Sequence, residues 1–192
     1  MRYCDVTSRA QSIVLIGMMG AGKSSVGCCL QRRTALALFD TDEIVASKFE
    51  MSIPEIFAKH GEEEFRNSET EALRSLATTE QVIIVTGGGI VLRPESVEIL
   101  KRRGVVVWLD GEEETLFKRA SRSRNRPLLQ SDNPRQSFAQ MLKTRLPLYA
   151  KTAHLRIDTS ALTNEEVAMA ILTKFRRFHG SQQPGPPIPA TA

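Results

Sequence analysis

Short apolar runs alternate along this chain with longer amphipathic stretches, and that alternation sets the expected architecture. Ser12–Ile16, Ala35–Phe39, Val82–Val85, Val105–Leu109 and His154–Ile157 read as buried strands. Between them, apolar residues recur at helical spacing in Lys23–Arg33, Asp42–Phe49, Ile53–His60, Glu62–Thr78, Pro94–Arg102, Glu112–Arg122, Arg135–Leu146 and Thr163–Phe178. Glycine or proline punctuates the junctions at Gly61, Gly104, Gly111 and Pro147. Buried strands joined by helices imply an α/β fold, a parallel sheet covered on both faces. Ligands of such sheets sit at the C-terminal ends of the strands.

Two segments leave the pattern. Ser123–Pro134 is polar and basic without periodicity, which suggests a mobile loop between helices. The stretch from His179 to Ala192 holds prolines and no Asp, Glu, Lys or Arg, so it is expected to be a disordered Pro-rich tail. The expected organisation is an N-terminal extension over 1–11, one domain over 12–178 and that tail over 179–192.

Composition changes this picture little. The 192 residues are 41% hydrophobic and 25% charged, enough to bury a core without disulfide or metal staples. No apolar run approaches the roughly 20 residues of a membrane span, so no membrane partner is expected. Cys4, Cys28 and Cys29 lack metal-ligand spacing and read as free thiols of a reducing compartment. The first eleven residues carry charge and no apolar core, unlike a secretory signal. A cytoplasmic location is expected. The net charge of +4 is concentrated: Lys118, Arg119, Arg122, Arg124, Arg126 and Arg135 lie in one segment with only Asp132 opposing them. Such a patch suits a phosphorylated small molecule or a nucleic acid.

The strongest chemical signal runs from Gly17 to Ser24. GMMGAGKS satisfies G-x-x-x-x-G-K-[ST] and lies between an apolar strand and an amphipathic helix, the context its mechanism requires. Gly20 and Gly22 let backbone N–H groups converge on phosphate oxygens, with the positive end of a helix behind them. Lys23 would bridge β- and γ-phosphates and Ser24 would ligate Mg²⁺. Nucleoside triphosphate and magnesium follow, but the acceptor does not. Protein-kinase signatures are absent.

Weaker signals follow in order. Asp40 and Asp42 end the second strand and would face one side if the extended backbone continued; either alone could equally cap the next helix. Gly61–Glu69, GEEEFRNSE, sets Arg66 and Glu69 three apart on one helical face. Gly87, Gly88 and Gly89 follow the third strand, where bare backbone can approach a ligand closely. Arg126 opens RPLL in the basic loop, and Arg145 lies four residues before Tyr149. Arg66 and Arg145 could jointly grip an anionic acceptor.

Taken in this order, the motifs resemble those of the shikimate kinase family, from about Ser12 to Phe178. The resemblance implies a nucleoside-monophosphate-kinase-like, three-layer phosphate-loop fold with a five-stranded parallel sheet and a mobile lid at about 119–134. It implies transfer of the γ-phosphate of ATP, with Mg²⁺, to the 3-hydroxyl of shikimate in the route to chorismate and the aromatic amino acids. Gly20, Ala21, Gly22, Lys23, Ser24 and Ser25 would serve the nucleotide, with Ser24 and Asp40 on magnesium, Asp40 through water. Asp42 would contact the accepting hydroxyl as base or positioning group. Arg66, Gly87, Gly88, Gly89 and Arg145 would bind shikimate, Glu69 would orient Arg66, and Phe57 and Phe65 would wall the site. Arg126 would be the catalytic lid arginine and Arg119 the adenine-stacking one.

The chain departs from the pattern in two places. No proline near Asn164 supplies a second adenine contact, and Arg122 and Arg124 exceed what the lid needs. A gluconate kinase of the same fold is the nearest rival. A non-catalytic ATP-switched module gripping nucleic acid is disfavoured, because no aromatics interleave with the basic residues. A monomer is expected.

Overall fold

A computed structural model describes residues 11–76, 80–122 and 132–180. Among them five strands form one parallel sheet: β1 (Ser12–Ile16), β2 (Leu38–Asp40), β3 (Ile83–Val85), β4 (Gly104–Asp110) and β5 (Leu155–Asp158), ordered β2-β3-β1-β4-β5. The helices are α1 (Lys23–Thr34), α2 (Thr41–Phe49), α3 (Ile53–Ser75), α4 (Pro94–Arg103), α5 (Glu113–Ala120), α6 (Pro134–Thr152) and α7 (Asn164–Gly180), with a 3₁₀ turn at Ile90–Leu92. Every residue of β1, β3 and β4 is buried, which is why these strands read as continuous apolar runs. Central β1 pairs with β3 on one side and β4 on the other, so the chain changes direction across the sheet beside it. That switch point opens a crevice beyond the strand ends.

Three boundaries differ from the sequence pattern. Ala35 takes a left-handed conformation (φ 57°) and ends α1, so β2 starts only at Leu38. The two helices expected around Gly61 form one run, kinked where Gly61 turns to φ 81°. Pro147 lies inside α6, which continues to Thr152 instead of stopping at Leu146. Proline costs one helical hydrogen bond, but burial of Tyr149 and Thr152 beyond it holds the last turns against the sheet.

The main core surrounds β1, β3 and β4. A second, smaller cluster of Val45, Ile56, Phe65 and Ala72 lies between α2 and α3. No helix among the described residues is long and apolar enough to cross a membrane.

Candidate active site

The phosphate loop leaves β1 at Gly17 and enters α1 at Lys23. Gly20 and Gly22 both adopt φ 85°, which L-residues with side chains rarely take, and a Cβ on Gly20 would lie 2.1 Å from the Leu116 carbonyl oxygen. The first turn of α1 has no acidic residue and no side-chain cap, leaving its N–H groups for an anion. Lys23 Nζ donates to the carbonyls of Gly17 (2.8 Å) and Met18 (3.1 Å), folding the ammonium over the loop.

Ser24 Oγ donates to Asp40 Oδ2 at 3.2 Å. A hydroxyl and a carboxylate at the loop mouth are hard oxygen donors suited to Mg²⁺, an ion that keeps several waters and leans on substrate phosphates. No group of three or more His, Cys, Asp or Glu that could hold a metal occurs among the described residues.

Asp40 and Asp42 do not continue one extended strand. Helix α2 begins at Thr41, and Asp40 Oδ1 caps it by accepting from the Asp42 N–H at 3.0 Å. The capping and functional readings of Asp40 are thus compatible, since its other oxygen faces Ser24. Both carboxylates still line one cleft of about 680 Å³, together with Met19, Gly20, Gly22, Lys23, Ser24 and Ser25. Thr86, Gly87 and Gly88 continue its wall. Ala21 is buried and lies outside this lining.

The triple glycine explains how so many charges meet beside the cleft. A Cβ on Gly87 would lie 2.5 Å from Asp42 Oδ1 and 2.6 Å from Glu69 Oε1. One on Gly88 would approach Arg145 NH1 at 3.6 Å, and one on Gly89 would strike the Arg66 guanidinium at 2.3 Å. Each missing side chain makes room for a site charge. Arg66 and Arg145 are both only 6% exposed. Arg66 donates to Glu69 at 2.5 Å and to Glu62 at 2.9 Å, while Phe65 and Phe57 lie 5.2 and 6.0 Å from its guanidinium carbon.

Burial pushes the Glu69 carboxyl up to about 7; Arg66 opposes this and the Asp42 charge adds to it. Burial also disfavours the Arg66 charge, but Glu69 and Glu62 more than offset it, leaving the guanidinium pKa raised. Glu69 Oε1 is buried and accepts no hydrogen bond from the described residues. Arg66, Glu69, Arg145, Phe57, Phe65 and Gly89 form a layer flanking the cleft, outside its immediate lining.

At the opposite end, Arg119 donates to the carbonyls of Thr159 (3.0 Å) and Ser160 (3.3 Å), splinting α5 to the loop after β5. Arg119, Leu162, Thr163 and Asn164 line the cleft there. Arg122 lines it too. Arg124, Arg126 and the RPLL segment lie outside the described residues, as do Cys4 and most of the expected lid. Several site residues escaped the sequence reading, Thr86 and Thr163 of the cleft wall among them. Glu62 was hidden in an acidic run, Leu162 had no motif, and Tyr149 stood in view one turn beyond Arg145.

The sequence model of the family described as shikimate kinase matches residues 19–176. The shikimate kinase of Thermodesulfovibrio yellowstonii is 42% identical over 168 residues, covering 88% of this chain and 96% of that protein. That of Geobacter sulfurreducens is 40% identical over 175 residues, covering 91% and 96% respectively. Among solved structures, shikimate kinase from Acinetobacter baumannii in complex with shikimate superposes with a TM-score of 0.83 at 37% identity, covering 90% of this chain and 96% of that one. A gluconokinase from Sinorhizobium meliloti reaches a TM-score of 0.56 at 18% identity, a likeness of fold alone, over 91% of this chain and 99% of that one. With its phosphate loop, paired buried arginines and triple glycine in one sheet-edge site, this chain belongs to the shikimate kinase family.

Proposed function

We propose that this chain transfers the γ-phosphate of ATP to the 3-hydroxyl of shikimate, giving shikimate 3-phosphate and ADP. The observation that carries the reading is the convergence of Arg66 and Arg145, both buried, on the triple-glycine turn beside Asp42 and the phosphate loop. An acceptor with one carboxylate and several hydroxyls calls for two guanidinium forks, a carboxylate and bare backbone N–H groups.

In this reading, Gly20, Ala21, Gly22, Ser24 and Ser25 cradle the triphosphate while Lys23 spans the β- and γ-phosphates. Arg119 presents its guanidinium face to the base, and Leu162 offers an apolar surface at the same end. Ser24, and Asp40 through water, would hold Mg²⁺, which supplies charge neutralisation on the phosphate oxygens. Arg66, Arg145 and the N–H groups of Gly87, Gly88 and Gly89 fix the acceptor's carboxylate and ring. Glu69 holds Arg66, and Phe65 and Phe57 close the wall behind it. Asp42 accepts a hydrogen bond from the attacking hydroxyl and aims it in line with the γ-phosphate. Arg126, which lies outside the described residues, would by the family resemblance stabilise the charge on the transferring group. The lid that the resemblance implies would exclude water, the competing acceptor.

The protein is taken as one domain over 12–178, acting as a monomer in the cytoplasm. Free Cys28 and Cys29 support the compartment. Large exposed apolar residues among those described are only Leu92, Leu162 and Met169, too few for a sizeable apolar patch, which supports the monomer.

The test is ADP release with ATP and Mg²⁺ in the presence of shikimate, gluconate or no acceptor. Turnover with shikimate alone is expected. Turnover with gluconate, or ATP hydrolysis indifferent to acceptor, would overturn the assignment while leaving the nucleotide site intact. Replacing Arg126 by alanine is expected to lower kcat at least about tenfold with little change in shikimate binding. Loss of shikimate affinity at unchanged kcat would refute that role.

A further inference from the structure

Tyr149 is completely buried, yet it carries a polar group into the site. It lies four residues after Arg145 on α6, so the two side chains share one helical face. Its hydroxyl donates to the Gly88 carbonyl at 2.5 Å. The other acceptor within reach, Met18 Sδ, is 3.9 Å away and weak. A phenol has one hydrogen to give, so Gly88 receives it. Arg145 meets the same glycine, its NH1 lying 3.6 Å from where a Cβ on Gly88 would sit, and its charge acts on the phenol. Burial pushes the phenol up to about 12, so the donor persists across the working range of pH.

The consequence follows from peptide geometry. In a trans peptide the carbonyl of one residue and the N–H of the next point in opposite directions, and no cis bond occurs in the described chain. Drawing the Gly88 carbonyl toward Tyr149 therefore turns the Gly89 N–H away from it. Gly88 is also where the triple-glycine turn meets the phosphate loop: a Cβ there would lie 3.4 Å from the Gly17 carbonyl oxygen and 3.5 Å from the Met19 nitrogen. One hydroxyl thus fixes a peptide at the junction of the two half-sites, next to the Arg145 guanidinium.

We propose that Tyr149 is a positioning residue for the acceptor's carboxylate: its hydroxyl holds the Gly88 carbonyl, and so fixes the peptide beside the Arg145 guanidinium where that group is received. The proposal rests on the assignment of shikimate as acceptor. The phenyl ring has a separate, purely structural part, since it stacks on Trp108 with ring centroids 6.0 Å apart.

Tyr149→Phe keeps the ring and removes the hydroxyl. Phe138→Leu, in the same helix and equally buried, perturbs the core without touching the site. Steady-state constants for ATP, shikimate and shikimate methyl ester, with a melting temperature for each variant, separate the possibilities. Tyr149→Phe is expected to raise the shikimate KM by about tenfold and to leave the ATP KM within about twofold. Its effect should largely vanish with the ester, which lacks the charged carboxylate. Phe138→Leu should lower the melting temperature and leave both KM values near wild type. Unchanged shikimate KM in Tyr149→Phe would overturn the proposal. So would an equal penalty on acid and ester, or parallel loss of both KM values in the two variants. A wild-type enzyme that ignores shikimate and phosphorylates gluconate would instead refute the acceptor assignment itself.

Discussion

The two ends of this site are built in different ways. The phosphate end is made of backbone: a short contiguous loop between β1 and α1 supplies N–H groups, two left-handed glycines and one lysine. The acceptor end is made of side chains brought from α2, α3, α6 and the turn after β3, which meet only in the folded protein. They also rest on different cores. The loop is anchored in the main cluster through Met18, Met19 and Ala21, whereas Phe65 belongs to the small cluster between α2 and α3. A backbone cradle recognises any polyphosphate. An arrangement of buried guanidinium groups recognises one shape of anion, and specificity therefore belongs to the acceptor end.

The sharpest way to break this division is to alter the one acceptor-end carboxylate that is assigned to the attacking hydroxyl and not to the grip on the acceptor's own carboxylate. Asp42→Asn should lower kcat by about 10²–10³-fold with both KM values nearly unchanged, measured by ADP release. A rise confined to shikimate KM would make Asp42 a binding group only. Next in size is Gly89→Ala, whose Cβ would run into Arg66 at 2.3 Å. Its shikimate KM should rise by more than about tenfold while the ATP KM stays put, because the displaced guanidinium is charged and buried. An equal rise in both constants would show the two ends to be mechanically one.

At the nucleotide end, Arg119→Ala should raise the ATP KM by about five- to tenfold, with shikimate unaffected, because the loop at Thr159 and Ser160 loses its splint. The smallest effect is on stability. Glu69 is raised to about 7 in the fold from an ordinary value of 4.5, so between those values the native state binds more protons than the unfolded chain. Its contribution is fully present below pH 4.5 and is lost as pH rises through 7. The melting temperature of wild type relative to Glu69→Gln should therefore increase as pH is lowered across that window. A difference constant with pH would mean that Glu69 stays ionised beside Arg66.

The same contrast decides what could be read from the sequence. The phosphate loop was fully legible because its function is encoded in contiguous residues of fixed conformation. Arg66 with Glu69 was legible as a spacing, and the triple glycine as a signal of close approach. That each glycine vacates space for one particular charge was not, since α3 and α6 approach the turn from far along the chain. Pro147 misled for a related reason: local propensity ends the helix there, while burial of Tyr149 carries it onward. Asp40 was ambiguous between cap and ligand, and it is positioned for both because its two oxygens face different partners. Leu162 carried no signal at all. Only the loop held by Arg119 brings it to the cleft.

The central claim is that acceptor choice lies in the grip of Arg66 and Arg145 on a carboxylate. The most direct measurement compares wild-type kcat/KM for shikimate and for its methyl ester, which keeps every hydroxyl and loses the negative charge. A fall of at least about 10²-fold for the ester, with the ATP KM unchanged, is the predicted result. Equal turnover of acid and ester would contradict it, and would leave the buried arginines with a structural role alone.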